Sequence, residues 1–411
     1  MSITATQTWN YKARDSEGKV IKGKLEAASE SAAVARMRTM GLSPVSVGSA
    51  GAATGLNMEI SLGVFEKGVG LKDLAVMSRQ LATMVAAGIP LMKSLAILSE
   101  QTESKPLART LSTVRNQVES GSSLSEALAR QSDVFPPLMI HLVRAGEIGG
   151  FLDQSLESIA STFEADVKLR ATIKSAMTYP VVVLVMAMVS VVAMLLFIVP
   201  IFEKMFRDLG GELPIPTQIL VLLSRSMVWL APVLLVGGVA FSIWWKRNKH
   251  TDKVRAFVDP IRLKLPVFGD LTRKIAIARF TRNFATMTKS GVPVMQSLGI
   301  VGETAGNWVI QEALRSVQDS VRAGRTIAEP LAASGVFPAM VTQMIAVGED
   351  SGSMEQMLNK IADFYEEEVQ TTTEQLTSLI EPLMIGFIGV VIGGMIIALY
   401  MPIFTIFDQI H

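Results

Sequence analysis

The sequence contains no cysteine and only three histidines among its 411 residues, and its formal net charge is +1. Without cysteine the chain cannot form a disulfide, a thiolate nucleophile or a thiolate metal site. The near balance of charges excludes an overall electrostatic attraction to nucleic acid, so such an attraction would need a local basic patch. We therefore expect no nucleic-acid partner.

Motifs that carry enzyme chemistry are also missing. The sequence has no Gly-x-x-x-x-Gly-Lys-Ser/Thr phosphate loop, no His-Glu-x-x-His zinc pair and no Gly-x-Ser-x-Gly nucleophile elbow. His141 is the one histidine inside the internal repeat described below, and the equivalent position holds Gln343. We interpret His141 as a helix-face residue and predict no catalytic, cofactor-binding or metal-binding residue, and so no enzyme.

Long apolar runs are abundant instead, and they indicate an integral membrane protein. Hydrophobic residues make up 49% of the chain, and its mean hydropathy is +0.39. A helix crosses the hydrocarbon core with about 20 apolar residues, and three segments satisfy that length, at 175–202, 226–245 and 381–407. Buried core helices are the alternative interpretation. None of the three follows a basic N-terminal region, so no cleavable signal peptide is predicted.

The distribution of lysine and arginine predicts the orientation of these spans. Lys168, Arg170 and Lys174 precede the first span, and a basic run at 246–255 follows the second. Such basic flanks favour the cytoplasmic side. We expect the N-terminus and this run in the cytoplasm, and the loop near Gly210 and the C-terminal tail outside. The basic run is interpreted as a topology determinant rather than a nucleic-acid site.

The second half of the chain repeats the first. LATMVAAGIPLMKSL at 81–95 returns as FATMTKSGVPVMQSL at 284–298, an offset of 203 residues (291 minus 88 for the central glycines). After one deleted residue the offset becomes 202, and it holds as far as VPIF at 199–202 and MPIF at 401–404. This long register predicts a duplicated helical domain, each copy with its own span, and its period is too long for a solenoid.

Glycine and proline interrupt each copy at equivalent positions. An apolar stripe at helical spacing ends at Gly88 or Gly291, which can take the left-handed conformation that terminates a helix. Pro90 or Pro293 then suits the first turn of the next helix. Further breaks predict about six helices per copy. The two cytoplasmic helical domains are expected at 71–174 and 271–380.

Two carboxylates in the repeat are candidate interface residues. Glu147 and Glu349 occupy equivalent positions in Gly-Glu-x-x-Gly elements. Local capping or pairing beside the glycine is one interpretation, and a place at a partner interface or ion site is the other. The glycines of these elements are Gly146, Gly150, Gly348 and Gly352.

A capping-box pattern precedes a short helix in each copy. It consists of Ser123 with Glu126 in the first copy and Thr326 with Glu329 in the second.

The membrane entrances of the two copies also correspond. Tyr179-Pro180 precedes the first span and Glu381-Pro382 precedes the third, and each proline is expected to bend its helix at the lipid boundary. Glycines at 386, 389, 393 and 394 would let the third span approach another helix closely, within the subunit or from a sister subunit or client helix. The run 366–368 is interpreted as a solvated helix face, with an acidic docking strip as the alternative.

The first 47 residues differ from the repeat. WNYKA, DSEG and KVIKGKLEA predict strand, turn and strand, and SESAAVARMRTM predicts a helix capped by Gly41 before a short strand SPVSV. Residues 1–47 therefore form a small N-terminal α+β unit, and the Gly/Ala-rich stretch 48–70 is a flexible linker. The fold class is mainly α: an integral membrane protein with two duplicated cytoplasmic helical-bundle domains, three transmembrane helices and this small unit.

These motifs together resemble a known family. QLATMVAAGIPLMKSL and NFATMTKSGVPVMQSL, the two Gly-Glu-x-x-Gly elements, and the span ends Tyr179-Pro180 and Pro200-Ile201-Phe202 are similar to the platform proteins of type IV pilus assembly and type II secretion, the PilC/GspF group. The resemblance covers nearly the whole chain. It implies a multi-pass protein of the bacterial inner (cytoplasmic) membrane that self-associates. It also implies contact with a hexameric secretion ATPase, with pilin or pseudopilin subunits, and with other inner-membrane assembly proteins.

The expected function follows from that resemblance. As the platform of a type IV pilus assembly machine, the protein would couple the ATPase to insertion or extraction of pilin subunits, without being an enzyme itself. A platform of a type II secretion or competence pseudopilus is the alternative within the family. An oligomeric transporter or channel is a remote alternative, because the spans lack the intramembrane charges that usually mark a transport path.

Overall fold

A computed structural model describes residues 7–14, 20–27, 29–49, 68–208, 213–249, 251–266 and 268–409. The chain divides into two units, residues 1–66 and 67–411. The predicted DSEG turn, most of the predicted linker 48–70, the loop near Gly210 and the last two residues lie outside the described residues.

The N-terminal unit is a three-stranded antiparallel sheet with one helix. Its elements are β1 (Gln7–Arg14), β2 (Val20–Ala27), α1 (Glu30–Thr39) and β3 (Ser43–Ser49), in the sheet order β2-β1-β3. Ser29 caps α1 by accepting the backbone N–H of Ala32 at 3.3 Å. Gly41 has a φ of +76°, which confirms it as the left-handed residue after the helix. Ala33 and Met37 of α1 are fully buried with residues of the sheet.

Six helices form the first copy of the repeat. They are α2 (Leu71–Ala86), α3 (Leu91–Gln101), α4 (Lys105–Glu119), α5 (Leu124–Ala129), α6 (Pro137–Gly149) and α7 (Leu152–Ala193). The chain continues from α7 through a five-residue π-helical segment (Met194–Ile198) into α8 (Val199–Asp208). No helix break therefore separates the first helical domain from the first span.

The central part of the chain returns through the membrane and reaches the second copy. It consists of α9 (Ile215–Asn248), which contains the predicted span 226–245 and begins earlier, and α10 (Asp252–Lys264). The second copy contains α11 (Phe268–Lys289), α12 (Val294–Thr304), α13 (Trp308–Arg322), α14 (Ala328–Ala333), α15 (Ala339–Asp350) and α16 (Met354–Gln409). Its last helix also runs without a break from the helical domain through the third span.

The structure confirms a mainly α membrane protein with three apolar helices long enough to cross a bilayer. These helices cover Leu152–Asp208, Ile215–Asn248 and Met354–Phe404. At a rise of 1.5 Å per residue, the 56 residues of α16 extend over about 84 Å. The first and third of these helices therefore join a helical domain directly to an apolar span.

One hydrophobic core runs through both copies of the repeat. Buried side chains of the first copy, such as Leu81, Phe135 and Leu156, belong to the same contact cluster as Phe284 and Phe337 of the second copy. The two helical domains therefore pack against each other as one body. This arrangement places α6 and α7 beside α11 and α12.

Candidate functional site

The Gly-Pro turns of both copies have the same conformation. Gly88 and Gly291 have φ values of +79° and +67°, and in each case the next amide closes a hydrogen bond back to the fifth residue before it, from Ile89 to Met84 and from Val292 to Met287. This is the Schellman termination of a helix. Pro90 and Pro293 follow at the N-cap positions of α3 and α12, one residue before the first turn.

The glycine before each candidate carboxylate lies where two helices cross closely. A β-carbon added at Gly146 would lie 2.5 Å from Ser155 Oγ, and one added at Gly348 would lie 3.1 Å from the Cα of Met354. Gly146 therefore holds α6 against α7, and Gly348 holds α15 against α16. The closing glycines of the two elements, Gly150 and Gly352, have left-handed φ values of +74° and +67°.

The two candidate carboxylates cap short helices elsewhere in their own copies. Glu147 accepts the backbone N–H groups of Leu124 at 2.6 Å and Ser125 at 3.0 Å. Glu349 accepts those of Ile327 at 2.9 Å and Ala328 at 3.3 Å. A carboxylate at a helix N-terminus satisfies backbone donors that lack a partner and interacts favourably with the helix dipole. Each glutamate therefore ties the end of α6 or α15 to α5 or α14.

The N-cap half of the predicted capping box forms in the first copy, and the prediction is wrong in the second. Ser123 Oγ accepts the backbone N–H of Glu126 at 3.2 Å. In the second copy α14 begins at Ala328 with Ile327 as its N-cap, so Thr326 lies one residue too early to cap it. The amides at this end of α14 are bound by Glu349 instead.

Sequence reasoning missed an arginine on α2 that binds the first long helix. Arg79 donates to both carboxylate oxygens of Glu164 on α7 at 2.7 Å and to Glu157 at 2.5 and 2.6 Å. The hydrogen bonds that Arg79 donates to Glu164 and then to Glu157 raise its pKa above the usual range. The Arg79 side chain is 34% exposed, so the pair contributes little stability. Its bidentate geometry fixes the direction of α7 relative to α2.

The second copy has an equivalent arginine, Arg282 on α11. Arg282 donates to Asp363 at 2.5 Å, to Glu366 at 2.9 Å and to Asn359 at 3.1 Å, all on α16. Burial lowers the pKa of Arg282, but the hydrogen bonds that it donates to Glu366 and Asp363 outweigh this effect, and the net pKa is raised. We call Arg79 and Arg282, each with its two carboxylates, the arginine clamps. This pair of arginines was recognisable in the sequence, because 282 minus 79 gives the repeat offset of 203.

Polar contacts also join the two copies to each other. Arg279 on α11 donates to Asp166 on α7 at 2.7 and 2.8 Å. Burial lowers the pKa of Arg279 more than Asp166 raises it. The buried hydroxyls of Thr162 and Thr286 lie 3.0 Å apart across the same junction. Arg279 and Thr162 occupy positions where the repeat partner is Val76 or Phe364, so these contacts distinguish one copy from the other.

His141 belongs to this junction. Its Nδ1 lies 2.9 Å from Nε2 of Gln296 on α12, and a neutral imidazole can accept that amide hydrogen. Burial, and then the positive charge of Arg144, lower the pKa of His141. The contact therefore favours the neutral ring. Among the described residues no group of three or more His, Asp or Glu side chains could hold a metal ion.

A cavity of about 180 Å³ opens at the junction of the two copies. Asp166, Arg279, Arg282 and Glu366 line it, and each of these charges already has an oppositely charged partner. Two of the three glutamates in the acidic run 366–368 also have cationic partners. Glu366 belongs to an arginine clamp, and Glu368 lies 2.9 Å from Lys274. Glu367 between them is exposed.

The membrane-entrance residues lie inside continuous helices. Pro180 is buried in α7 and Tyr179 beside it is 57% exposed. Glu381 and Pro382 are exposed within α16. Both helices continue through these prolines, so neither proline ends its helix.

Prolines at the far ends of the outer spans free two backbone carbonyls, and α9 binds both. Pro402 has no N–H for the carbonyl of Ala398 four residues earlier, and the Thr217 hydroxyl donates to that oxygen. In the π-helical segment the Val199 N–H donates to the Met194 carbonyl, five residues earlier. The next residue, Pro200, has no N–H for the Leu195 carbonyl, and the Ser224 hydroxyl donates to that oxygen instead. Helix α9 thus binds the first and third long helices near their equivalent prolines, Pro200 and Pro402.

The rest of the membrane surface is open within the protomer. Only 6% of the most apolar window of the first long helix is buried. A β-carbon added at any glycine of the third span would meet no other described atom within 4 Å. That glycine face does not pack within the described protomer and is available to lipid or to another helix. These glycines are Gly386, Gly389, Gly393 and Gly394.

The fold and its contacts define a class: an integral membrane protein with a duplicated helical domain, each copy continuous with a membrane-spanning helix. Comparison with protein-family models identifies the family. The model described as "Type II secretion system (T2SS), protein F" matches residues 77–200 and again residues 280–402. The model of its N-terminal domain matches residues 4–48. The chain belongs to the type II secretion system protein F family, and it is an inner-membrane protein.

Curated relatives match over almost the full length of the chain. A type IV pilus assembly protein PilC of Myxococcus xanthus is 41% identical over 99% of this chain and 96% of its own length. The protein of that name from Thermus thermophilus is 41% identical over 97% of this chain and 98% of its own. A type II secretion system protein F of Xanthomonas campestris is 31% identical over 98% of this chain and 99% of its own.

Proposed function

We propose that this protein is the inner-membrane platform of a type IV pilus assembly machine, where it couples a hexameric cytoplasmic ATPase to insertion or extraction of pilin subunits. The relatives named for pilus assembly are more similar to the chain than the relative named for type II secretion. This difference favours the pilus over the secretion alternative. The platform transmits movement and catalyses no reaction itself.

One structural observation carries the mechanism: each helical domain continues into the bilayer as an unbroken helix. A movement of the cytoplasmic body is therefore transmitted along α7 and α16 without a flexible joint. The arginine clamps hold these helices to α2 and α11, and the hydroxyls of α9 join their far ends. The ATPase acts on the helical body, and the spans pass the displacement to pilin helices in the membrane.

The N-terminus and both helical domains lie in the cytoplasm in this proposal, and the C-terminus lies outside. The basic residues beside the first span and after the second support that orientation. Self-association is proposed through the glycine face of the third span, because Gly389 and Gly393 are spaced for close helix contact.

Gene deletion in the native cells tests the proposal. Deletion should abolish surface pili, and tagged protein should co-purify with a secretion ATPase and pilins. Loss of exoprotein secretion with normal piliation would favour the secretion alternative and contradict the pilus role. Insertion of three glycines after Lys168 should break α7 and abolish pili while membrane insertion persists. The same insertion in the predicted linker 48–70 is the matched control and should leave piliation intact.

A further inference from the structure

Helix α10 has an apolar face that no other element of the described chain covers. Phe257 and Ile261 of α10, and Leu265 at its C-cap, recur at four-residue spacing and are 72%, 47% and 46% exposed. At 100° per residue, these positions share one face of the helix. Exposed apolar side chains grouped on one face are typical of a site that contacts a membrane or another protein.

Cations flank this face on both sides. Lys253 and Lys264 lie on one flank, and Arg255 and Arg262 lie on the other. The segment 246–264 contains seven lysines and arginines against two carboxylates. A basic helix with an apolar face between its cations is typical of helices that lie in the headgroup layer of an anionic membrane.

The opposite side of α10 is attached to the second copy of the repeat. Asp259 is 5% exposed, and its carboxylate accepts the backbone N–H of Trp308 at 2.9 Å. Arg255 and Arg262 lie 3.9 and 3.8 Å from the same carboxylate. Because this side is fixed, the apolar face of α10 points away from the helical body.

The same helix is attached to the end of the second span. The Arg262 guanidinium lies 5.8 Å from the centre of the Trp245 ring, near the end of α9. Trp244 beside it is 50% exposed, and paired tryptophans at a span end are typical of the membrane interface. These contacts place α10 beside the end of the second apolar helix.

A cavity of about 360 Å³ lies between the end of α9 and α10. Trp245, Lys249, Arg255 and Arg262 line it, and its carboxylates are Asp259 and Glu303. Asp259 already caps α13. Lys249 is exposed and has no ion pair among the described residues. The cationic wall and the aromatic ring suit a phosphate group at the membrane surface.

We propose that α10 lies in the headgroup layer beside the second span and binds anionic phospholipid. Phe257, Ile261 and Leu265 enter the boundary of the acyl chains, and the cavity beside Trp245 holds a headgroup phosphate. Because α10 is attached to α13, this contact sets the height of the second helical copy above the bilayer. The inference depends on the membrane position of α9 and not on the pilus role.

The absence of native cysteine permits a site-specific test. Ile261→Cys carries a fluorescent label on the proposed lipid face, and Ile148→Cys, at an isoleucine that is 83% exposed, is the matched control. Ile148 is a suitable control because it lies before α7, far from the span. The part of α7 from Leu152 to Lys174 extends about 33 Å before the uncharged span begins. The full-length protein is placed in phosphatidylcholine nanodiscs with and without phosphatidylglycerol, and a lipid-attached quencher reports depth.

We expect quenching at position 261 that increases with phosphatidylglycerol, and none at position 148. Native mass spectrometry should show phosphatidylglycerol retained by the unmodified protein and held about fivefold more weakly by Lys249→Gln. Equal quenching at the two positions, or unchanged lipid retention in the variant, would overturn the proposal. Displacement of the lipid by inorganic phosphate would assign the cavity to a free anion. Protection of position 261 by added ATPase, without quenching by lipid, would assign the apolar face to a protein partner. Displacement by phosphate and protection by the ATPase would each overturn the proposal of a lipid site.

Discussion

Replacing the two capping glutamates should loosen the two short helices to different extents. Glu147→Ala removes the carboxylate that binds the amides of Leu124 and Ser125, but Ser123 still caps α5. Glu349→Ala leaves α14 with no side-chain cap, because its N-cap is Ile327. The second substitution should therefore have the larger local effect.

The expected magnitudes follow from the hydrogen bonds. A bond to a charged acceptor contributes about 1.5–3 kcal/mol, and loss of an N-cap costs about 0.5–2 kcal/mol. Both glutamates are half-buried, so water replaces part of each loss. We expect about 1 kcal/mol for Glu147→Ala and about 2 kcal/mol for Glu349→Ala, which correspond to roughly 5-fold and 30-fold faster local opening.

Hydrogen–deuterium exchange of the full-length protein measures this opening directly. Peptides covering α5 and α14 should exchange faster in the respective variants, while those of α13 should not change. Glu329→Ala is the matched control, since Glu329 is an exposed carboxylate in the first turn of α14 that makes none of the capping hydrogen bonds. Exchange of α14 in Glu349→Ala no faster than in this control would refute the capping role.

Three further substitutions test the helix crossing, the connection between spans and the junction of the copies. Gly146→Ala places a β-carbon 2.5 Å from Ser155 Oγ and should lower stability by about 1–3 kcal/mol, measured as the midpoint of thermal unfolding in detergent; an unchanged midpoint would contradict the close crossing. Thr217→Val removes the hydroxyl that binds the Ala398 carbonyl and should cost about 1 kcal/mol in the same assay, whereas Thr217→Ser should retain the bond. The pKa of His141 in the folded state is lowered below 6.5, so the wild type should lose stability as the pH falls through and below that value. His141→Gln removes this titrating group, and the variant should therefore lose less stability over the same pH range. Identical pH profiles of the thermal midpoint would show that His141 does not titrate in this way.

Much of the local structure could be predicted from the sequence. Gly88 and Gly291 were recognisable because a left-handed φ favours glycine wherever it occurs, and the surrounding apolar spacing identified the helices they end. Apolar length alone indicated the spans, and Ser29 before a helical segment is a local capping signal as well. Each of these features depends on neighbouring residues and on the dihedral preferences of single residues.

The partners of charged and polar side chains could not be predicted in the same way. Glu147 was recognised as a conspicuous carboxylate, but its donors lie 22 and 23 residues earlier in the chain. Arg79 stands at the repeat offset from Arg282, yet its carboxylates lie 78 and 85 residues away on α7. Such pairs form only after the helices have packed, and the sequence pattern does not specify which faces meet.

The sequence by itself determined that this protein has a duplicated helical domain, three apolar spans and a small N-terminal α+β unit, because periodicity, length and turn chemistry are local properties. Only the tertiary structure decided that the two copies share one core, and that Asp166 and Arg279 join them. It also decided that Thr217 on the second span binds a carbonyl 181 residues away. That contact exists because Pro402 has no N–H to donate to the Ala398 carbonyl, and packing brings the Thr217 hydroxyl to this buried oxygen.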